Sequence, residues 1–588
     1  MKSVRLCFIL ALTGLGALTQ PRSPAAEPVR VVQPVHEYFT PFAACPDGDG
    51  HDFNSRYTHI GTDFGRMGPA QDHLVWQPGA AKVDLSAGGW AGMWHSLAGL
   101  ARERAAALDF LRCYPPFIRD AFQPRCVGVT LRAAGVGRLK LEVKSPDERP
   151  LWTRTVDLHG EPLHQVVLAC DPAQLRHAKL LNWVAEPGAR LVVDAVGLLI
   201  EFPPMPFPDR VFLTAYAKLA RCYAPQTSLV RDQQQRPAGE FDAVPASGMF
   251  ALCTAVAAKL GVVDGPFAEQ TLHAVHHAAQ KMPRAEGLLP HFVRQRVDGT
   301  FAIHPGTEFS TVDTSLFFHG MMLAAQLLGD RPEQDALLAE VRAIRFDRLR
   351  TPDGALSHGL REDGRTPLAC SWADWGGETA LAVLLERMAD RQPDPPRVSH
   401  AGKVPNGIGF IGEVQSLFYP QFDEPEPDRL TGACWPKARR ELLEEQRSYF
   451  AKRCPDCPAA KLGLYGLSAG EAYRSRGYVA NGAEGPPTDL IHPHYLLMSA
   501  RLRPPAEAYR QIEILESHGL MPPWGLVENV TADLREYLPL QSSLNAAFEC
   551  LGAYHLAARA LNRPDAIYEA ARDCPPAARA VATFYPRK

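Results

Sequence analysis

The sequence predicts a two-part fold, an N-terminal β-sandwich followed by an all-α toroid. Up to residue 203 the chain is filled with Val- and Leu-rich segments that partly alternate and are separated by Gly-containing breaks. The stretch 203–210 has the proline density of a linker. From there nearly to the end, apolar residues recur at helical spacing. We therefore divide the chain into residues 1–26, 27–203 and 204–588.

The N-terminal part is predicted to be mostly β. Its clearest strand segments are 126–145, 164–171 and 188–202, and the last of these is typical of the closing strand of a sandwich. Residues 95–111 are the exception and predict a helix. This part is loosely similar to the jelly-roll modules that bind carbohydrate ahead of sugar-processing domains, which leaves open whether it binds glycan or only packs against the second part.

The C-terminal part is predicted to be all-α. It contains about a dozen segments of helical periodicity, and one of them, 315–329, is apolar nearly all round and must be buried. Helices of this number and length fit inner and outer pairs, the arrangement of an (α/α)₆ toroid. A right-handed superhelix of repeats also fits the number, but the sequence shows no fixed repeat period.

The first residues predict export to the periplasm or the extracellular space. Lys2 and Arg5 form a positive end, residues 6–18 are an apolar run too short to span a bilayer, and residues 23–25 offer a cleavage site. An uncleaved N-terminal anchor is the alternative. The thirteen cysteines suit an oxidising compartment, and we expect Cys454 and Cys457 to form a local disulfide.

Charge and composition limit the partners. A formal net charge of −3 argues against a general nucleic-acid binder, which needs a basic surface. No later stretch is apolar enough to span a membrane, and nothing indicates the oligomeric state. Two patterns resemble metal sites without completing one, a loop at 45–54 with three aspartates and the histidines His273, His276 and His277. We predict no metal and no cofactor.

Three acidic residues stand at predicted helix starts. Ser310 and Asp313 match the capping box, in which a hydroxyl and a carboxylate three residues later satisfy free backbone amides. Ser468 and Glu471 repeat that spacing, and Glu378 falls in a predicted first turn, where the helix dipole favours negative charge. Helix capping explains each acid when it is considered alone.

Considered together, the acids indicate glycoside hydrolysis. The inner helices of a toroid run parallel, so acids at their N-termini would converge on one cleft. Hydrolysis of a glycosidic bond needs two carboxyl groups that flank it. Aromatic residues suited to stacking on sugars lie near these acids in sequence: Trp372, Trp375, Tyr473, Tyr478 and Trp524.

Several segments also resemble, in order, the glycoamylase-like domain family, which includes bacterial endo-β-1,2-glucanases and the C-terminal region of cyclic β-1,2-glucan synthases. "EFSTVDTSLFFHG" (308–320) is the strongest match. The other matching segments are "SLVRD" (228–232), "GLLPHFV" (287–293), "WADWGGETALAVLL" (372–385), "SLFYPQF" (416–422), "YGLSAGEAY" (465–473), "PPTDLIHPHYLLMS" (486–499) and "WGLVENV" (524–530). Together they cover roughly residues 210–562.

The resemblance implies a hydrolase that cleaves a β-glucan, with β-1,2-linked glucan as one substrate of the family, and needs no cofactor. It assigns Glu378 as the general acid and Glu471 as its partner, base or nucleophile. The residues it implies for binding an oligo- or polysaccharide are Asp232, His291, Glu308, Asp313, Trp372, Trp375, Gln421, Tyr473, Asp489, Trp524 and Glu528.

Two alternatives stay open. Leu540 and Pro420 replace an Asp and a His of the family pattern, which fits a non-catalytic glycan-binding relative. Helical toroids also host polysaccharide lyases, which need a Tyr or His base and an Arg or Asn to neutralise a uronate.

Overall fold

A computed structural model gives the architecture. It describes residues 28–37, 64–77, 80–97, 114–175, 178–233, 241–372, 374–390, 400–401, 404–471, 478–523, 525–535, 537–538 and 542–585. The predicted signal segment and the aspartate-rich loop at 45–54 lie outside these residues. None of the described helices is both long and apolar enough to cross a membrane.

The N-terminal part is built on one antiparallel sheet. Its strands are β1 (Val29–Glu37), β2 (Phe64–Met67), β3 (Leu74–Gln77), β4 (Ala80–Asp84), β5 (Ala91–Ser96), β6 (Arg125–Lys144), β7 (Pro150–His159), β8 (His164–Ala169), β9 (Leu180–Ala185) and β10 (Arg190–Phe202). They run in the order β2-β5-β9-β6-β10-β4-β3, with β1 paired to β10 and with β7 and β8 paired to β6. The predicted jelly-roll-like sandwich is therefore wrong, because all ten strands belong to one hydrogen-bonded sheet.

The long strand β6 explains this continuity. Its first half pairs with β10 and β8, whereas its second half pairs with β9 and β7. The change of partners falls at Gly135 and Gly137, whose φ angles of 115° and 133° suit glycine. A Cβ atom on Gly135 would lie 2.1 Å from the Arg190 carbonyl oxygen. The sequence suggested two separate sheets. Strand β6 belongs to both halves and joins them into one.

The C-terminal part holds the described α-helices. They are α1 (Phe207–Ala220), α2 (Val244–Lys259), α3 (Gly265–Gln280), α4 (Thr311–Leu328), α5 (Arg331–Ala343), α6 (Gly377–Met388), α7 (Gly409–Glu413), α8 (Trp435–Arg453), α9 (Pro458–Leu462), α10 (Pro493–Met498), α11 (Pro505–Ser517), α12 (Ser543–Ala560), α13 (Ala566–Asp573) and α14 (Pro575–Ala582). Helices α4 and α12 are buried along most of their length, whereas α8, the longest of those described, buries only one side.

The prediction of an all-α toroid is wrong, because five small sheets lie between these helices. Their strands are β11 (Tyr223–Ala224), β12 (Leu229–Arg231), β13 (Asp242–Ala243), β14 (Phe292–Gln295), β15 (Phe301–Ile303), β16 (Phe309–Ser310), β17 (Gly359–Leu360), β18 (Asp374–Trp375), β19 (His400–Ala401), β20 (Ala469–Glu471), β21 (Tyr478–Ala480), β22 (Leu490–Ile491), β23 (Asn529–Thr531) and β24 (Tyr537–Leu538). Most are two or three residues long, too short for a periodic pattern. Buried connections need partners for their backbone amides and carbonyls, and these ladders supply them.

Helices α2 and α4 cross at a contact between glycines. A Cβ atom on Gly320 would lie 2.4 Å from the carbonyl oxygen of Gly248, and one on Gly248 would lie 2.4 Å from that of Phe317. Real Cβ atoms do not approach backbone so closely, so the two backbones touch only because both residues are glycine. This crossing places the first turns of both helices side by side.

Residues 114–122 join the two parts. The Tyr114 hydroxyl lies 3.3 Å from Oγ1 of Thr214, and the ring of Phe117 stacks on Phe267 with centroids 4.5 Å apart. The helix predicted at 95–111 is wrong at its start, where His95 and Ser96 belong to β5 because their backbones pair with β9. Its residues from 98 onward lie outside the described part of the chain.

Two other predictions fall in the C-terminal part. Cys454 and Cys457 occupy the turn between α8 and α9, where the Cys457 amide donates to the Cys454 carbonyl at 3.1 Å. Both are free thiols in this structure, so the predicted disulfide is not formed there. His273 contacts Asp330 at 2.6 Å, and His276 contacts Glu333 and Glu340 at 2.5 and 2.8 Å, so these two histidines join α3 to α5.

Candidate active site

Four long helices and the short α7 begin at one cleft of about 1100 Å³. The first residues of α2, α4, α6 and α12, or the residues just before them, line it, and Asp232 and Glu471 reach it from the ends of short strands. The described residues thus place several amide-rich helix N-termini around one space. Seven of the predicted site residues line this cleft: Asp232, His291, Glu308, Asp313, Trp372, Glu378 and Glu471.

Glu378 is the second residue of α6, in the first turn as predicted. The start of this helix packs against the segment that contains α7. A Cβ atom on Gly377 would lie 2.5 Å from the Ile411 carbonyl oxygen, so glycine is needed for this close approach. Ile411 and Phe410 line the cleft beside Glu378 and make that wall apolar.

Glu471 is held in a different way from the one predicted. It ends strand β20, which pairs with β21, so Ser468 and Glu471 do not start a helix and their capping-box interpretation is wrong. The Glu471 amide, which Ser468 would cap, donates to Glu528. The side-chain amide of Gln233 donates to the Glu471 carboxylate, and Asn529 Nδ2 donates to the Glu471 carbonyl at 2.8 Å. The carboxylate is therefore oriented within the cleft.

Glu528 lies behind Glu471 and does not line the cleft. Its Oε1 atom accepts hydrogen bonds from Asn545 Nδ2 at 2.6 Å and from the Glu471 amide at 3.4 Å. Burial, reinforced by the charge of Glu471 and opposed by Lys218 and Asn545, raises the pKa of Glu528 to about 7. Glu528 can thus exchange a proton near neutral pH. It contacts Glu471, the residue predicted to act as base or nucleophile.

The Ser310–Asp313 stretch does start α4. The Ser310 hydroxyl accepts a hydrogen bond from the Asp313 amide at 3.2 Å, the first half of the predicted capping box. The Asp313 side chain is buried and faces His291, whose Nδ1 lies 3.6 Å from its carboxylate and 3.0 Å from that of Glu308. Asp313 can therefore take part in the capped start of α4 and also line the cleft.

His291 is a cation between these acids. Burial alone would lower its pKa, but the charges of Asp313, Glu308 and Asp232 and the hydrogen bond to Glu308 raise it to about 9. The ligand atoms of His291, Glu308 and Asp313 lie within 4.8 Å of one another, a spacing that a metal ion could bridge. The proton that His291 holds opposes such an ion, because metal binding needs a neutral imidazole.

Trp372 is more buried than a sugar platform would be. It is 7% exposed, and its indole nitrogen donates to Oγ1 of Thr311 at 2.9 Å. One face of the indole is covered by His358, whose ring centroid lies 3.7 Å away. Trp372 therefore supports the cleft wall beside the first residue of α4, and His358, which the sequence analysis did not single out, lies beside it in the lining.

Tyr478 also lines the cleft, although the sequence analysis did not select it as a site residue. In the β20–β21 pairing it stands directly opposite Glu471. The Tyr478 side chain is 59% exposed, so its ring is open to a ligand in the cleft. Tyr478 therefore neighbours Glu471 across the strand pair and lines the same cleft as Glu378. The period-2 pattern of "YVA" was too short to reveal this pairing.

The remaining predicted residues do not line the cleft or cannot be placed. Gln421 lies in a turn outside the lining, with its Oε1 atom buried and without a hydrogen-bond partner among the described residues. Asp489 is exposed and is also absent from the lining. The side chains of Trp375, Tyr473 and Trp524, and Leu540, lie outside the described part of the structure.

Solved structures share this architecture. The β-1,2-glucanase from Parabacteroides distasonis superimposes with a TM-score of 0.53 and 11% identity, covering 95% of this chain and 99% of its own. The endo-β-1,2-glucanase from Chitinophaga pinensis, solved with sophorotriose and glucose, gives a TM-score of 0.51 and 13% identity over 64% of this chain and 98% of its own.

The chain shares the fold of these β-1,2-glucanases. The predicted resemblance to the glycoamylase-like domain family is thereby confirmed at the level of the fold. The alignment with the Parabacteroides enzyme also includes the N-terminal part, since it covers nearly the whole of both chains. No protein-family profile matches the sequence, and no curated protein matches it either.

Proposed function

We propose that the protein is a glycoside hydrolase that cleaves a β-glucan with Glu378 and Glu471. The observation that carries the proposal is that these two acids come from separate elements, the start of α6 and the end of β20, and line one cleft together with Tyr478. Glycosidic bond cleavage needs such a pair, one group to protonate the leaving oxygen and one to activate water or attack.

Glu378 is the general acid in this proposal. A general acid must keep its proton near neutral pH, and an apolar wall favours the protonated form because it disfavours the charged one. Phe410 and Ile411 provide that wall. The positive end of α6 acts in the opposite direction, so the apolar wall has to outweigh the helix dipole.

Glu471 is the base or nucleophile. The amide of Gln233 stabilises the charged carboxylate and fixes its orientation, which is what activating water or attacking a carbon requires. Glu528 behind it can take or release a proton near neutral pH, so the charge around Glu471 responds to the protonation of its neighbour.

We propose a neutral β-glucan, with β-1,2 linkage as the first candidate, as the substrate. Two proteins with this fold are β-1,2-glucanases. The lining contains five carboxylates, from Asp232, Glu308, Asp313, Glu378 and Glu471. An acidic cleft repels uronate-bearing glycans, which counts against the lyase alternative.

The test is product analysis on purified linear β-1,2-, β-1,3- and β-1,4-glucans. We expect the wild type to release oligosaccharides from at least one of them, and Glu378→Gln and Glu471→Gln to lower kcat by at least about 100-fold, because general acid–base catalysis contributes that much. The matched control is Glu441→Gln, an exposed acid on α8, which should leave the rate unchanged.

Two outcomes would contradict the proposal. Release of no sugar by the wild type, with glycan binding retained, would favour the non-catalytic alternative. Products that absorb as unsaturated uronates would favour the lyase.

A further inference from the structure

The outer face of the N-terminal sheet carries two tryptophans that the proposed activity does not use. In β5, Ala91 and Met93 point into the core and are buried. Trp94 alternates with them, and Trp90, just before the strand, has the same parity, so both project from the opposite face. Trp90 is 41% exposed. The two indoles are separated by four residues, or roughly 13 Å of extended chain.

Glycines let both indoles lie flat against β2. Gly65 pairs directly with Trp94, and a Cβ atom on Gly65 would lie 2.8 Å from Nε1 of that indole. A Cβ atom on Gly68, the residue after β2, would lie 2.7 Å from Cε3 of Trp90. The neighbouring strand therefore carries no side chain where either ring rests. Since β2 is the edge strand of the sheet, the rings lie at its border.

Polar groups continue the row across the sheet. Asn182 of β9 pairs with Trp94, and Glu142 of β6 pairs with Asn182, so the three side chains are neighbours on one face. Asn182 is 2% exposed, and its Oδ1 atom has no hydrogen-bond partner among the described residues. Asn182 thus lies beneath the surface of this face, beside Trp94, and is closed to a surface ligand.

The charges on this face are paired. Glu142 contacts Lys140 at 2.9 Å and Lys144 at 3.4 Å. The face thus offers ring surfaces and ion-paired side chains, which suits a neutral, hydroxyl-rich ligand better than a strongly charged one.

We propose that Trp90 and Trp94, here called the indole platform, bind a β-glucan chain at a second site, apart from the cleft. A β-glucose ring presents axial C–H groups on its faces, and these fit the negative face of an indole. Its equatorial hydroxyls lie at the ring edge, toward the partly exposed Lys140 and Glu142 of the same face. The choice of β-glucan as the ligand rests on the proposed function, whereas the geometry of the platform does not.

Such a site would keep polymer near the cleft. A chain bound at two places on one molecule benefits from a high effective concentration at the second. The benefit applies to long chains and is absent for oligosaccharides too short to reach both sites.

The test is affinity electrophoresis of the full-length Glu378→Gln variant, which cannot consume the polymer in the proposed mechanism, in gels that contain linear β-1,2-glucan. Gels with β-1,3- and β-1,4-glucan test the other linkages. We expect retardation in at least one gel, and we expect adding Trp90→Ala and Trp94→Ala to weaken it by about tenfold or more, the loss expected when two stacking contacts are removed.

Two further variants make the result interpretable if the tryptophan changes disturb folding. Gly65→Ala leaves both indoles present but displaces that of Trp94, and should weaken retardation at an unchanged Tm. Val167→Ala on β8, a residue 51% exposed on the same sheet, is the matched control and should change nothing.

The proposed platform would be overturned if retardation were unchanged in both the tryptophan variant and Gly65→Ala. It would also be overturned if no gel retarded Glu378→Gln. Failure of the proposed hydrolysis is detected separately, as the absence of released sugar from the wild type.

Discussion

At the scale of single residues, the site is defined by how each carboxyl group is partnered. Glu308 and Asp313 flank a protonated His291, and Glu471 accepts from Gln233, whereas Glu528 is buried with one oxygen unpaired among the described residues. These partners come from distant parts of the chain. The neighbours of a carboxyl group therefore decide whether it is suited to binding, to catalysis or to holding a proton.

Glu528 makes stability depend on pH. Its folded-state pKa of about 7 exceeds the ordinary carboxyl value of 4.5, so the folded protein binds this proton more tightly than the unfolded chain does. The contribution is fully present below pH 4.5 and is lost as the pH rises to about 7, amounting to about 3 kcal/mol. Glu528→Gln, which cannot ionise, should flatten the fall in unfolding free energy over this window.

Denaturant unfolding of the wild type and Glu528→Gln between pH 4 and 8 measures this difference. Glu441→Gln, exposed on α8, should keep the wild-type slope. Parallel curves for the wild type and Glu528→Gln would show that folding does not shift the pKa of Glu528.

At the scale of elements, close helix packing sets the shape of the cleft. The α2–α4 crossing at Gly248 and Gly320 determines where Ala243, Ser310 and their neighbours enter the lining. Strand β16 precedes α4 directly, so the backbone reaches the cleft as a paired strand and then turns into the helix. The start of α4 is thereby held by the β16 pairing on one side and by the crossing with α2 on the other.

Gly320→Ala tests this packing. The added methyl group would meet the Gly248 carbonyl, and we expect the free energy of unfolding to fall by about 1–3 kcal/mol, as for other overpacked cores. Gly265→Ala at the start of α3 is the control, because its Cβ would meet nothing within 4 Å and stability should change by less than about 0.5 kcal/mol. Equal Tm values for the two variants would contradict the crossing.

At the scale of the whole molecule, the two parts share one packed core. The segment 114–122 connects them through the Tyr114–Thr214 and Phe117–Phe267 contacts. The indole platform lies on the outer face of the sheet, at its β2 edge. A protein with a catalytic cleft in one part and a glycan site in the other would suit polymeric glucan outside the cytoplasm.

We propose export, in keeping with the N-terminal sequence. Expressed with its full sequence in a Gram-negative host, the protein should appear in the periplasm or medium and begin near Glu27. Intact-mass measurement and N-terminal sequencing test this. Retention of residues 1–26 in a membrane fraction would instead support the anchor alternative, and a version lacking 1–26 should remain in the cytoplasm.

The sequence by itself determined the features that local pattern encodes. The change from β to α near residue 203, the helix starts at Asp313 and Glu378, and seven of the residues that line the cleft all followed from periodicity, capping chemistry or motif order. The β-to-α change and the helix starts are determined by neighbours within a few positions of the chain. The cleft residues stood out through motif order. All of these features could therefore be recognised without a structure.

Only the tertiary structure decided the rest. The continuous sheet depends on β6 changing partners at Gly135 and Gly137, and the small sheets depend on pairings between short, distant segments such as β20 and β21. Tyr478, Gln233 and the place of Glu528 follow from those pairings. Contacts of two or three residues leave no period in a sequence, because their stability comes from partners far along the chain.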